Sequence, residues 1–582
     1  MWLRDVPVGP MSVPFPLRSF LVIALLVCIR SQIAAAPPTL DHLYPVALAR
    51  GSTNLIQAIG ALGTWPAAFW VDGAGIEVQP QTNAGTIRVV VSPQADLGPH
   101  FIRAFNDEGA SGPRFIVIED RTLIAEVEPN DEFKKPQMIA SMPVWVNGRL
   151  DRSGDVDSYA VFLNKGDTLI AKLEAYVLAS PVDAVLRVMD PSHVQVALNH
   201  DDGESFDPFV TWTALHSGLH VVQVFGFAYP AGSDVRFSGG NSSVYGLALS
   251  KGRFVRHTIP LGVQLGHVAD VECVGWNWMG STQRAVPAVS KSSSDANGFA
   301  WVRLAGVENA VRVCTGTGPE LIEHEPNDQS SQATELPIPS AVTGRLYPAN
   351  DQDRYRLLIR PGDALVLRVR SASLGFSLDP WLRIEDSAGN ELARNDDTIG
   401  ADPMLEWTGQ GTNPVFAVVG HVLHRADPHE FYRLSVESAS PTLELSVPAH
   451  AFTIKAGETN EVKVAVKRLH GFAAKLVVSA EGLPQGITAT PVEVSDQGSE
   501  AKLTWIASAG VQKFNGPLRI IAKPVSGGDA IRARFSLISS GTDNGVPNGF
   551  GKLLISSIDL LWLTVIPQAP PVTPAPASPP KK

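Results

Sequence analysis

The phrase Glu126-Val127-Glu128-Pro129-Asn130-Asp131 occurs again as Glu323-His324-Glu325-Pro326-Asn327-Asp328, and the residues that follow keep step. Gly148-Arg149-Leu150 matches Gly344-Arg345-Leu346, and Asp155-x-Asp157-x-Tyr159 matches Asp351-x-Asp353-x-Tyr355. Gly166-Asp167 matches Gly362-Asp363, and Asp183-x-x-Leu186-Arg187 matches Asp379-x-x-Leu382-Arg383. The pairs Asp201-Asp202 with Asp396-Asp397, Asp207-Pro208 with Asp402-Pro403, and Trp212 with Trp407 complete the series. An offset that drifts this little means two copies of one folded unit, with small changes in loop length.

The repeat reaches upstream as well. His42, Pro45, Gly51 and Gly60 correspond to His257, Pro260, Gly266 and Gly275 at one constant offset. The duplicated unit is therefore a small domain followed by a larger one. The expected order is 37–122, 123–251, 252–321, 322–440, and a last region, 441–567, that has no counterpart. The Pro-rich residues 568–582 can build no core and are expected to form a disordered tail.

Runs such as Thr86-Ile-Arg-Val-Val-Val91, His220-Val-Val-Gln-Val-Phe225 and Val462-Lys-Val-Ala-Val466 are β-branched or aromatic and end at Gly, Pro, Asn or Asp. The 50 glycines and 45 prolines fall mostly between such runs, as turns require. Stretches of helical period with caps are not evident beyond the N-terminal segment. The fold class expected is all-β, a tandem series of β-sandwiches. The apolar stretch 553–566 contains Asp559 and Ser556-Ser557 and reads as a final strand region rather than a membrane span.

Arg18, the apolar run Phe20 to Ile29, and Ala34-Ala35-Ala36 before Pro37 have the order of a secretory signal peptide over residues 1–36. The run is too short for a spanning helix, which takes roughly 20 residues. Beyond the signal two cysteines remain, Cys273 and Cys314, both in the second small domain. In an oxidising compartment such a pair is expected to form a disulfide. The net charge of −11 is spread through turns, with no basic stripe for phosphates, which argues against a nucleic-acid partner.

Catalytic patterns are missing from the sequence. There is no Gly-x-Ser-x-Gly elbow, no His-Glu-x-x-His helix and no Cys/His spacing suited to zinc. His429-Glu430 lacks a second histidine. The expectation is a protein that is not an enzyme.

The order Glu-x-Glu-Pro-Asn-Asp, Gly-x-Leu, Asp-x-Asp-x-Tyr, Gly-Asp, Leu-Arg strand and acidic turn resembles the bacterial pre-peptidase C-terminal domain, a β-sandwich of secreted proteins. The small domains resemble the immunoglobulin-like IPT/TIG fold more weakly, and 441–567, with Gly482-Leu-Pro-Gln-Gly486, is similar to bacterial immunoglobulin-like modules. The first resemblance implies calcium held by Glu126, Glu128, Asn130, Asp131, Asp155 and Asp157, and in the second copy by Glu323, Glu325, Asn327, Asp328, Asp351 and Asp353. Independently, Ca²⁺ takes about 6–8 hard oxygens from flexible loops, and two converging acidic loops can supply them. The competing reading is that Pro129 and Pro326 begin plain turns whose Asn and Asp cap local backbone donors. Asp201-Asp202 and Asp396-Asp397 read as hairpin turns, and Trp212 and Trp407 as core. Trp276 and Trp278 are candidates for ligand contact from a loop.

These features describe a secreted, periplasmic or cell-surface protein of non-catalytic binding and scaffolding modules, with an extracellular protein or polysaccharide as ligand. The alternative is an accessory that targets a separately encoded protease or polysaccharide hydrolase to its substrate.

Overall fold

The computed structural model describes residues 36–202, 206–227, 237–291, 294, 298–398, 401–411, 414–538 and 554–568. The signal reading, which rests on residues 1–35, and the tail beyond 568 fall outside the described residues. No helix among the described residues is long and apolar enough to cross a membrane.

The architecture is strands throughout, arranged as tandem β-sandwiches, as the alternating runs require. In the first large sandwich one sheet orders Thr122–Ala125, Val144–Arg149, Val244–Ser250, Thr168–Glu174 and Phe209–Thr213. The facing sheet orders Gln137–Met138, Val156–Leu163, Gly218–Gly226, Ala184–Met189 and Gln195–Asn199. The second large sandwich repeats both orders strand for strand. One sheet has Glu320–Ile322, Ser340–Gly344, Tyr432–Ser438, Ala364–Arg370 and Met404–Thr408, and the other Thr334–Leu336, Gln352–Leu357, Val415–His421, Pro380–Glu385 and Glu391–Asn395.

Period-two alternation places the core. Leu169, Ala171 and Leu173 point between the first pair of sheets, as Leu365, Leu367 and Val369 do in the second. Trp212 and Trp407 pack against these cores from partly buried positions, as expected. The repeated Asp-Pro has a structural task. Asp207 accepts hydrogen bonds from the amides of Ala175, Tyr176 and Val177, and Asp402 from those of Ser371, Ala372 and Ser373, which pins a 3-10 turn in each copy.

Each small domain faces two sheets against each other. The first has His42–Tyr44, Thr53–Ile59, Thr86–Val91 and Ile76–Pro80 opposite Ala47–Ala49, Arg114–Glu119, Gly98–Asn106 and Ala68–Val71. The second has Phe254–Ile259, Ala269–Trp276 and Gln283–Val286 opposite Gly262–Gln264, Ala310–Gly316 and Phe299–Arg303. The joints to the large sandwiches are polar and buried. Asn147 Oδ1 accepts from the amides of Val46 (3.1 Å) and Ala47 (2.8 Å), while its Nδ2 donates to Ala47 O at 3.2 Å. At the matching position Thr343 Oγ1 accepts from the Leu261 amide at 2.9 Å.

The expected Cys273–Cys314 disulfide is not formed; both thiols are free and buried. Strand alternation gives the reason. Cys273 lies in the core of the second small domain with Val311 and Val313, so Cys314, one residue further along, faces the opposite side of its sheet. There it meets Arg370 of the following sandwich, whose Nη1 lies 3.7 Å from its Sγ.

The last region, from Thr442–Ser446 to Leu561–Ile566, forms its own connected sheet system around Trp505, Leu503 and Ile520. Leu554–Ile558 and Leu561–Ile566 are strands, as expected. This region packs back on the first small domain. Trp562 meets Trp70 and Phe105 with ring centroids 5.7 and 5.0 Å apart, and Arg103 Nη1 lies 2.7 Å from His450 Nδ1.

Candidate metal centres

The acidic phrases follow the first strand of each large sandwich, and the Asp-x-Asp pairs enter a strand of the facing sheet, at Val156–Leu163 and Gln352–Leu357. The Glu128–Pro129 and Glu325–Pro326 peptides are both cis. Local hydrogen bonds shape the two loops alike. Glu126 Oε2 accepts from the Arg149 amide at 2.6 Å, and Glu323 Oε1 from the Arg345 amide at 2.9 Å. Glu128 Oε2 accepts from the Asn130 amide at 3.0 Å, and Glu325 Oε2 from the Asn327 amide at 2.9 Å. Asp155 Oδ2 accepts from the Asp151 amide at 2.5 Å, and Asp351 Oδ2 from the Tyr347 amide at 2.7 Å.

One tyrosine that sequence reading overlooked completes each cluster, Tyr245 in the first and Tyr432 in the second. Tyr245 donates to Asp157 Oδ2 at 2.5 Å and lies 2.6 Å from the Tyr159 hydroxyl; Tyr432, Asp353 and Tyr355 repeat this at 2.5 and 2.7 Å. A signal was present in the matching Tyr245-x-Leu247-x-Leu249 and Tyr432-x-Leu434-x-Val436. These tyrosines also explain the glycine of Gly-x-Leu. A Cβ on Gly148 would sit 2.1 Å from the Tyr245 ring, and one on Gly344 would sit 2.5 Å from the Tyr432 hydroxyl.

Carboxylate oxygens of Glu128, Asp155 and Asp157 lie within 4.8 Å of one another, as do those of Glu323, Glu325 and Asp353. The remaining predicted residues line the same loops. Glu126 and Asp157 influence each other's ionisation, Asp131 is held by Arg152, and the neighbouring Asp328 helps to raise the Asp351 carboxyl. Several oxygens meet no donor. Asn130 and Asn327 are buried with both side-chain polar atoms unpartnered, and Asp157 Oδ1 and Asp353 Oδ1 are equally bare. An unsatisfied buried polar atom costs roughly 1–3 kcal/mol, so the same atoms left bare in both copies fit a ligand better than plain turns.

Electrostatics point the same way. Burial raises the Asp157 carboxyl to about 9, helped by repulsion from Glu126 and opposed by the Tyr245 hydroxyl. Burial likewise lifts Glu126 to about 7 and Asp155 to about 6. In the second copy burial lifts Glu323 to about 7 and Asp351 to about 6, and Asp353 stands well above the carboxylate range. A divalent cation would relieve this repulsion and use the bare oxygens. The donor set is all oxygen, which suits Ca²⁺ or Mg²⁺ rather than zinc.

Other candidates resolve into packing. Trp276 packs against Phe209 and Phe254 with tilted rings, and Trp278 lies under Arg253 and Arg284. Asp202 accepts a fork from Arg256 at 2.6 and 3.0 Å, and the same guanidinium donates to Gly375 O at 3.1 Å, so one arginine of the second small domain holds both large sandwiches.

No protein-family model matches the chain, and no curated protein matches it. Among solved structures it is similar to the pre-peptidase C-terminal domain of a collagenase from Bacillus anthracis, at 14% identity over 20% of this chain and 100% of that one, with a TM-score of 0.16. A protein from Eubacterium rectale described as secreted shares 11% identity over 33% of this chain and 79% of that one, with a TM-score of 0.18. The N-terminal eight immunoglobulin domains of Down syndrome cell adhesion molecule share 10% identity over 86% of this chain and 72% of that one, with a TM-score of 0.12. Identities and TM-scores this low carry neither family nor function across.

Proposed function

We propose that this chain is a secreted, non-catalytic binding and scaffolding protein. In this reading its two large sandwiches are pre-peptidase C-terminal-like domains, each holding a calcium ion at its head, and its small domains are IPT/TIG-like. The observation that carries the calcium reading is the twice-built arrangement of buried, donor-free oxygens at Asn130 and Asp157 and at Asn327 and Asp353. Each ion would be held by the linker acids, Glu126, Glu128 and Asp131 or Glu323, Glu325 and Asp328, together with the asparagine and the Asp-x-Asp pair. It would thereby join the entry linker to the facing sheet. In the first copy that linker is already tied to the small domain, since Tyr44 donates to Asn147 O at 3.1 Å and lies 3.4 Å from Glu126. The ion therefore sets the angle between ligand-binding modules.

Co-sedimentation of the purified chain with collagen fibres, chitin and cellulose, with calcium or with chelator, tests the binding role. Calcium-dependent retention on one of them is expected. Hydrolysis of any of these polymers by the pure chain would overturn the non-catalytic reading.

A further inference from the structure

The two acidic centres differ in one respect that their shared motif hides. In the first, Arg152 reaches over the cluster: its Nη2 donates to Asp131 Oδ1 and Oδ2 at 2.8 and 2.7 Å, and its Nη1 lies 3.4 Å from Asp155 Oδ1. In the second, the position matching Arg152 is Pro348, which carries no charge. Among the described residues no cation lies within ion-pair distance of the Asp328 or Asp351 carboxylates: the Arg354 guanidinium donates to the Asp328 backbone carbonyl, and Arg345 reaches only Glu323, at 4.0 Å. That Glu323 oxygen is already occupied by a backbone amide. Both centres otherwise carry the same fully buried asparagine and aspartate with bare oxygens.

We infer that the two centres are unequal cation sites: the second is the tight, constitutive one, and Arg152 acts at the first as a built-in competing cation that must leave before a divalent ion can use Asp131 and Asp155. The inference rests on the calcium reading above and assigns it a hierarchy. The Arg152 guanidinium bonds Asp131 and lends its charge to Asp155, but it leaves Asp155 Oδ1 without a hydrogen bond and does not reach the bare oxygens of Asn130 and Asp157. Its side chain is 56% exposed, so it can swing into solvent when an ion arrives. The first joint then stiffens only at cation concentrations above those that saturate the second. A unit positive charge within a few Å of a divalent ion, at a partly solvated site, weakens binding on the order of tenfold.

The test is calorimetric titration of the chelator-stripped full chain with calcium chloride, for the native sequence, Arg152→Gln and Asp351→Asn. Two classes of site are expected. Asp351→Asn should remove the tighter one, and Arg152→Gln should tighten the weaker one on the order of tenfold while leaving the other in place. Two equal sites, or an Arg152→Gln titration that superimposes on the native one, would overturn the hierarchy and leave the calcium reading standing. Loss of the weaker class in Asp351→Asn would invert the assignment and so overturn it too. Absence of any binding heat in the native chain would overturn both readings.

Discussion

Glu320→Gln should loosen the second large sandwich at its junction with the small domain before it. Arg433 donates to Glu320 through Nε at 2.9 Å and Nη2 at 2.6 Å, and the two side chains are only 3% and 6% exposed. The guanidinium is walled in by the small domain: a Cβ on Gly262 would sit 2.6 Å from Arg433 Nε, and one on Gly316 would sit 2.9 Å from its Nη2. Water therefore has little room to replace a lost carboxylate. Hydrogen bonds to charged groups contribute about 1.5–3 kcal/mol each, and removing one partner of a buried pair costs about 3–5 kcal/mol. Glutamine keeps one acceptor, which places the loss near the lower end, about 3 kcal/mol. At 1.4 kcal/mol per factor of ten, that is roughly a hundredfold rise in local opening. A multidomain chain does not unfold in two states, so the readout is native-state hydrogen exchange at Glu320–Ile322, Ser340–Gly344 and Tyr432–Ser438, with the first sandwich as internal reference. Replacing both partners by methionine should recover most of the loss, because the desolvation cost goes with the charges. Exchange in these strands rising less than about threefold would mean that the Arg433–Glu320 pair does not hold this joint.

Asn147→Ala should cost about 2–4 kcal/mol at the first joint, because two buried amides, Val46 and Ala47, lose their acceptor; their exchange rates report it directly. Without metal, Glu126, Asp155 and Asp157 keep their protons to about 7, 6 and 9 in the folded state, whereas unfolded carboxyls titrate near roughly 4. The native state then binds more protons than the unfolded one, so chelator-stripped protein should lose stability as pH rises from about 5 to 9, and saturating calcium should abolish that fall; a melting temperature that climbs across the window without metal would contradict this. In unreduced protein, iodoacetamide should label both Cys273 and Cys314 after denaturation and neither in the native state, as read by peptide mass spectrometry.

The duplication made the strand order and the acidic loops legible, because selection for one backbone leaves the same turn and core residues in both copies. Residues that differ between the copies stayed hidden for the same reason. Trp145 lies across Gly246 in the first sandwich, where a Cβ would approach its ring to 1.9 Å, while the matching positions in the second are Ala341 and Arg433, the latter paired with Glu320. Both solutions fill a joint, yet neither is a motif. Asn147 and Thr343 likewise do one task with different chemistry. The disulfide expectation failed because residue spacing along the chain ignores which face of a strand a thiol occupies, and one step along Ala310–Gly316 turns Cys314 away from the core that holds Cys273. The docking of Trp562 on Trp70 and Phe105 depends on surface complementarity between distant domains, which no periodicity encodes.

In the calcium reading, Asn130 and Asp157, with Asn327 and Asp353, present their bare oxygens to the ion. Thermal unfolding of the chelator-stripped chain, with and without calcium at a hundredfold excess over its dissociation constant, tests it most directly, alongside Asp157→Asn combined with Asp353→Asn. Binding to the folded state alone should stabilise each large sandwich by about 2.7 kcal/mol, raise its melting temperature, and do neither in the double variant. A native chain whose melting temperature is unmoved by millimolar calcium would contradict the account and reduce both acidic phrases to turns.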